Sequence, residues 1–323
     1  MVPMPAVLHP LGLHLRERRP TGVPRGVVLF IHGATIGSVL FDLPVPGYSM
    51  LQACANAGWW AFAVDLRGYA RSPKPPAMDL PAMLCPPVCT ASDAQTDIAA
   101  TVDHLRRACG VDKLSLVGGS WGSITAATYA ASRPEHIDKL ALLAPLYGTR
   151  NPAWLATLQD PNAPGQINPT LGGYRLVREA DLLSRWDPEI PAHQRSTRRD
   201  PDVLRALLNS ELNADPNSGD KEAFRVPNGT LHDLFKVFSG QPVYAAEAIT
   251  MPCLLVRGAD DQTSTLEDAR LLYRRIASPH KQHLTIADAG HFLQAEHDAP
   301  LLHQALLQFL AYDIMQAATP ALV

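Results

Sequence analysis

The stretch LSLVGGSWGS, Leu114 to Ser123, places a single hydroxyl where a short apolar run turns abruptly through glycines into helix-forming residues. Written as Gly118-x-Ser120-x-Gly122, it has the spacing of a sharp strand-to-helix turn. Glycines are needed there because side chains would strike neighbouring backbone. Ser120 is then thrust out at the carboxyl end of a strand, and the N–H of Trp121 sits at a helix N-terminus, where negative charge is stabilised. A serine hydroxyl is a poor nucleophile alone, so acyl chemistry at Ser120 requires a histidine base and an acid to orient it. Both residue types follow in suitable places. IADAGHFLQAEH sets His291 after the last expected strand, and LLVRGADDQTS sets Asp260 and Asp261 just beyond the strand before it. The chain order serine, aspartate, histidine suits an α/β fold.

The elements needed to hold these residues are visible as alternating runs. GVVLFIHG, WWAFAVDL, KLSLVGG, KLALLAP, PCLLVRG and QHLTIAD are short and near-continuously apolar, as strands covered on both faces are. Between them, SDAQTDIAATVDHLRRACG carries Ile98, Val102 and Leu105 at helical spacing, with Ser92 as capping candidate and Gly110 as stop. WGSITAATYAASRP and APLLHQALLQFLAYDI read as further helices. Strands alternating with helices predict a doubly wound, mostly parallel α/β sheet. From about Tyr147 to Glu247 the alternation stops, and proline- and asparagine-rich turns separate helical patches. In TLHDLFKVFSG, Leu231, Leu234, Phe235 and Phe238 share one face, with Gly240 as the stop. The expected organisation is a core of residues 1–146 and 248–323 interrupted by a helical cap over 147–247.

Bulk properties exclude several classes. With 323 residues, 46% of them hydrophobic, the chain can bury a sizeable core. A net charge of -3 offers no basic footprint for nucleic acid. No apolar run reaches membrane-spanning length and the first residues lack a signal-peptide pattern, so a cytoplasmic protein without membrane association is expected. Five cysteines suit buried free thiols. Cys85 and Cys89, in LCPPVC, read as reduced thiols on a solvent-near loop, with a disulfide as the alternative. No second Cys or His pair has ligand spacing to complete a tetrahedral zinc site with them, and neither metal nor cofactor is expected.

With HGATIGS after the first long strand, VDLRGYARS, GGSWGS, RGADD and AGHF, the chain resembles the α/β-hydrolase family along nearly its whole length. The resemblance implies that the acid is Asp261, three residues after Gly258, rather than Asp260. It also implies that the residue after the His-Gly pair, Ala34, supplies an oxyanion N–H beside that of Trp121, and that His32 is structural. The alternative acid position of some relatives, after the sixth strand, reads LYGTRN and holds no carboxylate. Asp288 reads as a turn residue.

The resulting expectation is a serine hydrolase acting on a small acyl substrate, an ester or lactone, through Ser120, His291 and Asp261. An aspartate in the elbow would have suggested epoxide or haloalkane chemistry. GGSWGS is similar to the elbow of prolyl iminopeptidases, although their HGGPG turn is replaced here by HGATIGS. An aminopeptidase of that kind would need cap carboxylates, for which Glu211 and Glu222 are available. Carbon–carbon bond hydrolysis and a non-catalytic binding role complete the alternatives. Trp154, Trp186, Phe235 and Phe238 could close over a substrate or simply pack the cap. Oligomeric state is left open.

Overall fold

The short apolar runs pair into one seven-stranded sheet in a computed structural model that describes residues 9–312. In chain order its strands are β1 (Leu15–Arg18), β2 (Val27–Ile31), β3 (Trp60–Val64), β4 (Leu114–Gly119) and β5 (Ile137–Leu143). Four short strands that lie outside this sheet follow: β6 (Gln159–Asp160), β7 (Ala163–Ile167), β8 (Tyr174–Val177) and β9 (Phe224–Pro227). The sheet resumes with β10 (Cys253–Gly258) and β11 (Lys281–Ile286). The spatial order is β1-β3-β2-β4-β5-β10-β11. Only β1 is antiparallel, paired with β3 from Leu15 opposite Val64 to Arg18 opposite Ala61. This charged edge strand, LRER, has no apolar run to announce it, and charge on an edge discourages pairing with other chains.

Two cores lie on opposite faces of the sheet. Val27, Leu29 and Ile31 of β2 enter one, and Val28 and Phe30 the other, as the two-residue period of a strand requires. The helices are α1 (Met50–Asn56), α2 (Ala91–Cys109), α3 (Trp121–Ser132), α4 (Pro152–Leu158) and α5 (Glu179–Trp186). Then come α6 (Arg195–Arg198), α7 (Pro201–Ala214), α8 (Gly229–Phe238), α9 (Leu266–Arg275) and α10 (Ala299–Ala311). Helices α1 and α10 cover one face through Leu51, Cys54, Leu302 and Leu306; α2, α3 and α9 cover the other through Ile98, Val102, Ile124 and Leu272. The expected Ile98, Val102, Leu105 stripe of α2 is fully buried. Its cap is Thr90 rather than Ser92: the Thr90 hydroxyl accepts from Asp93 N–H while the Asp93 carboxylate accepts from Thr90 N–H, a reciprocal pair Ser92 could not form from inside the first turn. Gly110 closes this helix in the left-handed region, as expected. Of the last expected helix, Asp313 and Ile314 lie outside the described residues, as do parts of the two expected core ranges.

Between β5 and β10 the chain leaves the sheet and forms α4 to α8. This segment also contains two small antiparallel sheets, β6 with β7 and β8 with β9, which its turn-rich sequence does not foretell. On α8 the expected face is buried at Leu231, Leu234 and Phe238, with Val237 taking a buried place and Phe235 only half-buried. Cys85 and Cys89 are not near solvent: they are 4% and 3% exposed, both reduced. Gly173, just before β8, is packed against the Cys85 thiol, and Gly68 against that of Cys89. Burial pushes both thiols' pKa values up. Among the described residues, no helix is long and apolar enough to cross a membrane.

Candidate active site

After β2 the chain crosses to β3 on one side, and β4 lies on the other, so the loops leaving β2 and β4 diverge over a crevice at the carboxyl edge of the sheet. That is where open α/β sheets bind ligands. Ser120 follows β4 here. Its φ of 54° and ψ of -122° lie where a non-glycine residue is strained, at a cost of about 1–3 kcal/mol. Crowding fixes the turn. A Cβ on Gly122 would lie 2.4 Å from the carbonyl oxygens of Ile31 and His32, and one on Gly118 would lie 2.2 Å from the Gly122 carbonyl oxygen.

His291 and Asp261 come to Ser120 from loops following β11 and β10. The Ser120 Oγ lies 2.9 Å from His291 Nε2, and His291 Nδ1 lies 3.0 and 2.9 Å from the two Asp261 oxygens. Asp261 Oδ1 also accepts from the N–H groups of Thr263 and Ser264, at 2.8 Å each, which fixes the carboxylate's orientation. An N–H at Nδ1 donating to Asp261 leaves Nε2 free to accept from Ser120. Burial alone would lower the His291 pKa, but the charge and hydrogen bonds of Asp261 outweigh it and hold the value above the ordinary one. Asp260 is turned away onto Arg198, at 2.7 Å. Asp288 occupies an exposed left-handed turn position with φ 50°.

The turn after β2 abuts the serine turn: a Cβ on Gly33 would lie 3.2 Å from that of Ser120. His32 is wholly buried, donating from Nδ1 to the Gly33 carbonyl at 2.8 Å and accepting at Nε2 from Leu66 N–H at 3.0 Å. Both ring nitrogens are therefore committed to backbone, and burial lowers its pKa. Tyr69 OH and Arg175 hold the Ala34 carbonyl at 3.1 and 2.9 Å. The Trp121 indole donates to Asp233 at 3.0 Å, and Asp233 also accepts from Ala91 N–H at 2.6 Å, so α8, α2 and α3 meet behind the serine turn. Burial lifts the Asp233 pKa to about 6.

Ser120, His291, Gly33 and Ala34 line a cleft whose far wall comes from the segment between β5 and β10. Trp154, Arg185 and Leu234 form that wall, and Gln294 lies beyond His291. Of the four aromatic residues marked in the sequence, only Trp154 reaches the cleft. Phe238 stacks on Trp154 with ring centres 5.2 Å apart, Trp186 stacks on Phe292 at 4.8 Å, and Phe235 is outside. Glu211 is buried and accepts from Gly37 N–H at 2.9 Å; Glu222 is exposed, and neither lines the cleft. Glu189 goes unmarked in a sequence reading. Its carboxylate is buried and accepts from His291 N–H at 2.5 Å and Gln262 N–H at 3.0 Å. Nothing but a lone acid in a turn-rich segment marks it, because its partners are backbone groups 73 and 102 residues further on.

Similarity to known proteins agrees with this architecture. The sequence profile of the alpha/beta hydrolase fold matches residues 26–298. Epoxide hydrolase 3 of Siraitia grosvenorii is 32% identical over 39% of this chain, which matches only 34% of that protein's length. A 2-hydroxy-6-oxononadienedioate/2-hydroxy-6-oxononatrienedioate hydrolase of Paraburkholderia phymatum is 24% identical over 93% of this chain and 92% of its own. Among solved structures, Est816, an N-acyl homoserine lactone degrading enzyme, superposes with a TM-score of 0.62 at 19% identity, covering 92% of this chain and 97% of that one. With its parallel sheet, its strained serine turn at the switch point and a profile match spanning most of its length, the chain belongs to the alpha/beta hydrolase fold family.

Proposed function

We propose that the protein is a serine hydrolase that cleaves a carboxylic ester or lactone through an acyl-enzyme. One observation carries the reading: Ser120 Oγ stands 2.9 Å from His291 Nε2, both lining one cleft, and the other ring nitrogen is held by Asp261 behind it. His291 takes the serine proton as Oγ attacks the acyl carbonyl, and Asp261 holds the tautomer and stabilises the imidazolium. The N–H groups of Trp121, at the start of α3, and Ala34 receive the oxyanion, each donor being worth about 2.7–4 kcal/mol in such sites. His291 then protonates the leaving oxygen, and water activated by the same ring releases the acid. The segment 147–247 acts as the cap that walls the cleft.

Epoxide opening in the manner of an aspartate nucleophile does not fit Ser120. The aminopeptidase reading loses the cap carboxylates it requires, since neither Glu211 nor Glu222 lines the cleft. Carbon–carbon bond hydrolysis remains a second reading, favoured by the Paraburkholderia relative, whose alignment runs nearly end to end. The test compares wild type with Ser120→Ala on p-nitrophenyl esters of graded acyl length, with proline p-nitroanilide alongside. Ester turnover that falls about 10³-fold or more in the variant is expected; release of p-nitroaniline from the proline anilide by the wild type, or ester turnover that survives the substitution, contradicts the proposal.

A further inference from the structure

The cleft contains a charge that forms no ion pair among the described residues. Several arginines elsewhere between β5 and β10 find carboxylates: Arg198 sits on Asp260 and Glu296, Arg199 on Asp187, and Arg225 on Asp215. Arg185, on α5, does not. Its one hydrogen bond within the described residues is to Thr35 Oγ1, at 3.3 Å, and its guanidinium otherwise lies over the Trp154 ring, 4.7 Å from the ring centre. Glu189 and Asp261 are near enough to favour its charged form, yet neither forms an ion pair with it, and burial lowers its pKa. A half-buried cation held this way gains when a partner completes its shell.

Two neighbours sharpen the point. Arg175, on β8, donates to the Ala34 carbonyl, Thr35 Oγ1, Asn228 Oδ1 and the Pro227 carbonyl, at 2.9 to 3.3 Å. It thus meets Arg185 at the same Thr35 hydroxyl, and the two cations disfavour each other. Unlike Arg185, however, Arg175 spends its donors on the turn it holds. Across the cleft, the Gln294 side-chain oxygen is buried without a partner. The rest of the lining is mostly apolar, with Ile36, Leu40, Leu234 and Phe292 beside Thr263.

We propose that Arg185 receives a carboxylate carried on the acyl part of the substrate, so that this enzyme hydrolyses acidic acyl compounds, such as half-esters of dicarboxylic acids, in preference to neutral ones. The inference rests on the hydrolase reading above. A guanidinium presents paired N–H donors that match a carboxylate, and two half-buried cations that pair with no described carboxylate make a field that an incoming anion relieves. Stacking on Trp154 holds the planar head in one orientation, which reduces the ordering cost of binding.

The test uses the full chain and matched pairs of p-nitrophenyl esters: hemisuccinate with butanoate, hemiglutarate with pentanoate, hemiadipate with hexanoate, each corrected for spontaneous hydrolysis. At the best chain length wild type is expected to favour the acidic ester. In Arg185→Gln the ratio of kcat/KM for the acidic ester to that for its neutral match should fall about 10- to 100-fold, the size of a lost charge-assisted contact, mainly through KM. Arg185→Lys should recover part of it. A ratio that does not depend on residue 185, or a loss shared equally by both esters, overturns the proposal while leaving the serine hydrolase intact. Titration of the Ser120→Ala protein with glutarate in a calorimeter separates the opposite case. If no ester is turned over, the hydrolase reading falls, and glutarate binding that Arg185→Gln abolishes still supports the anion site, whereas absence of binding overturns that too.

Discussion

At the scale of single residues, the site depends on an imbalance between burial and charge at His291. Burial by itself would favour a neutral ring, and Asp261 reverses that, so the imidazolium is better stabilised than in water. A base works only when neutral, so activity should rise with pH through a His291 value above the ordinary 6.5, and the acidic limb of the kcat/KM profile reports it. Asp261→Asn removes the anion that raises this value; the limb should move to lower pH and kcat should drop by about 10⁴. A limb that stays in place would separate Asp261 from the titration. Glu189 acts chiefly on position, although its charge also helps to raise the His291 value. Its carboxylate accepts from the backbone N–H groups of both His291 and Gln262, and Gln262 is the neighbour of Asp261. Glu189→Gln keeps one acceptor oxygen and should lower kcat by about tenfold or less, while Glu189→Ala leaves two buried donors unpaired and should lower both kcat and thermal stability, by about 1–3 kcal/mol for each orphaned group. Parallel kcat and melting measurements on the two variants check this.

At the scale of elements, close approach of backbones governs. Because Gly122 of α3 lies against the end of β2, a methyl group there would meet two carbonyl oxygens at 2.4 Å. Gly122→Ala should therefore destabilise the fold by about 2–3 kcal/mol, read by denaturant unfolding, and should cost activity even where folding survives. Much of this layer can be read from the sequence, for a physical reason. Strands covered on both faces must be continuously apolar, so β2, β3, β4, β5 and β10 stand out, whereas β11, KQHLTI, is an edge strand largely open to solvent and not the doubly covered strand expected. The order of Ser120, Asp261 and His291 follows from the ends of β4, β10 and β11. What escapes notice is held by side chains that are not apolar or by partners far along the chain. Strand β1 is LRER, β8 pairs with β9 across fifty residues of helix and turn, and Thr90 caps α2 two residues before the hydroxyl that spacing suggests. Arg185 and Gln294 carry no local pattern at all; only the folding of α5 and the loop before α10 over one crevice gives them a shared setting.

At the scale of the whole molecule, buried ionisable groups set the pH range in which the fold is most stable. Burial, with the charge of Asp65, lifts Glu211 to about 8. A carboxyl whose folded value exceeds its ordinary 4.5 contributes stability that is complete below that value and lost as pH rises through 8. His9 and His303 are lowered to about 4 by burial, with His104 adding to the effect at His9. Their contributions are complete above the ordinary 6.5 and lost as pH falls through 4. The melting temperature should thus decline on both sides of a mildly acidic to neutral maximum. Glu211→Gln should flatten the alkaline side alone, and an unchanged alkaline slope in that variant would contradict its assignment. The most direct measurement concerns Ser120 itself: wild type and Ser120→Ala are treated with a fluorophosphonate and their intact masses recorded. A single adduct on wild type, mapped to Ser120 and absent from the variant, is predicted for a serine activated by His291. No adduct on wild type, or one that persists in Ser120→Ala, would contradict a nucleophilic serine in this cleft.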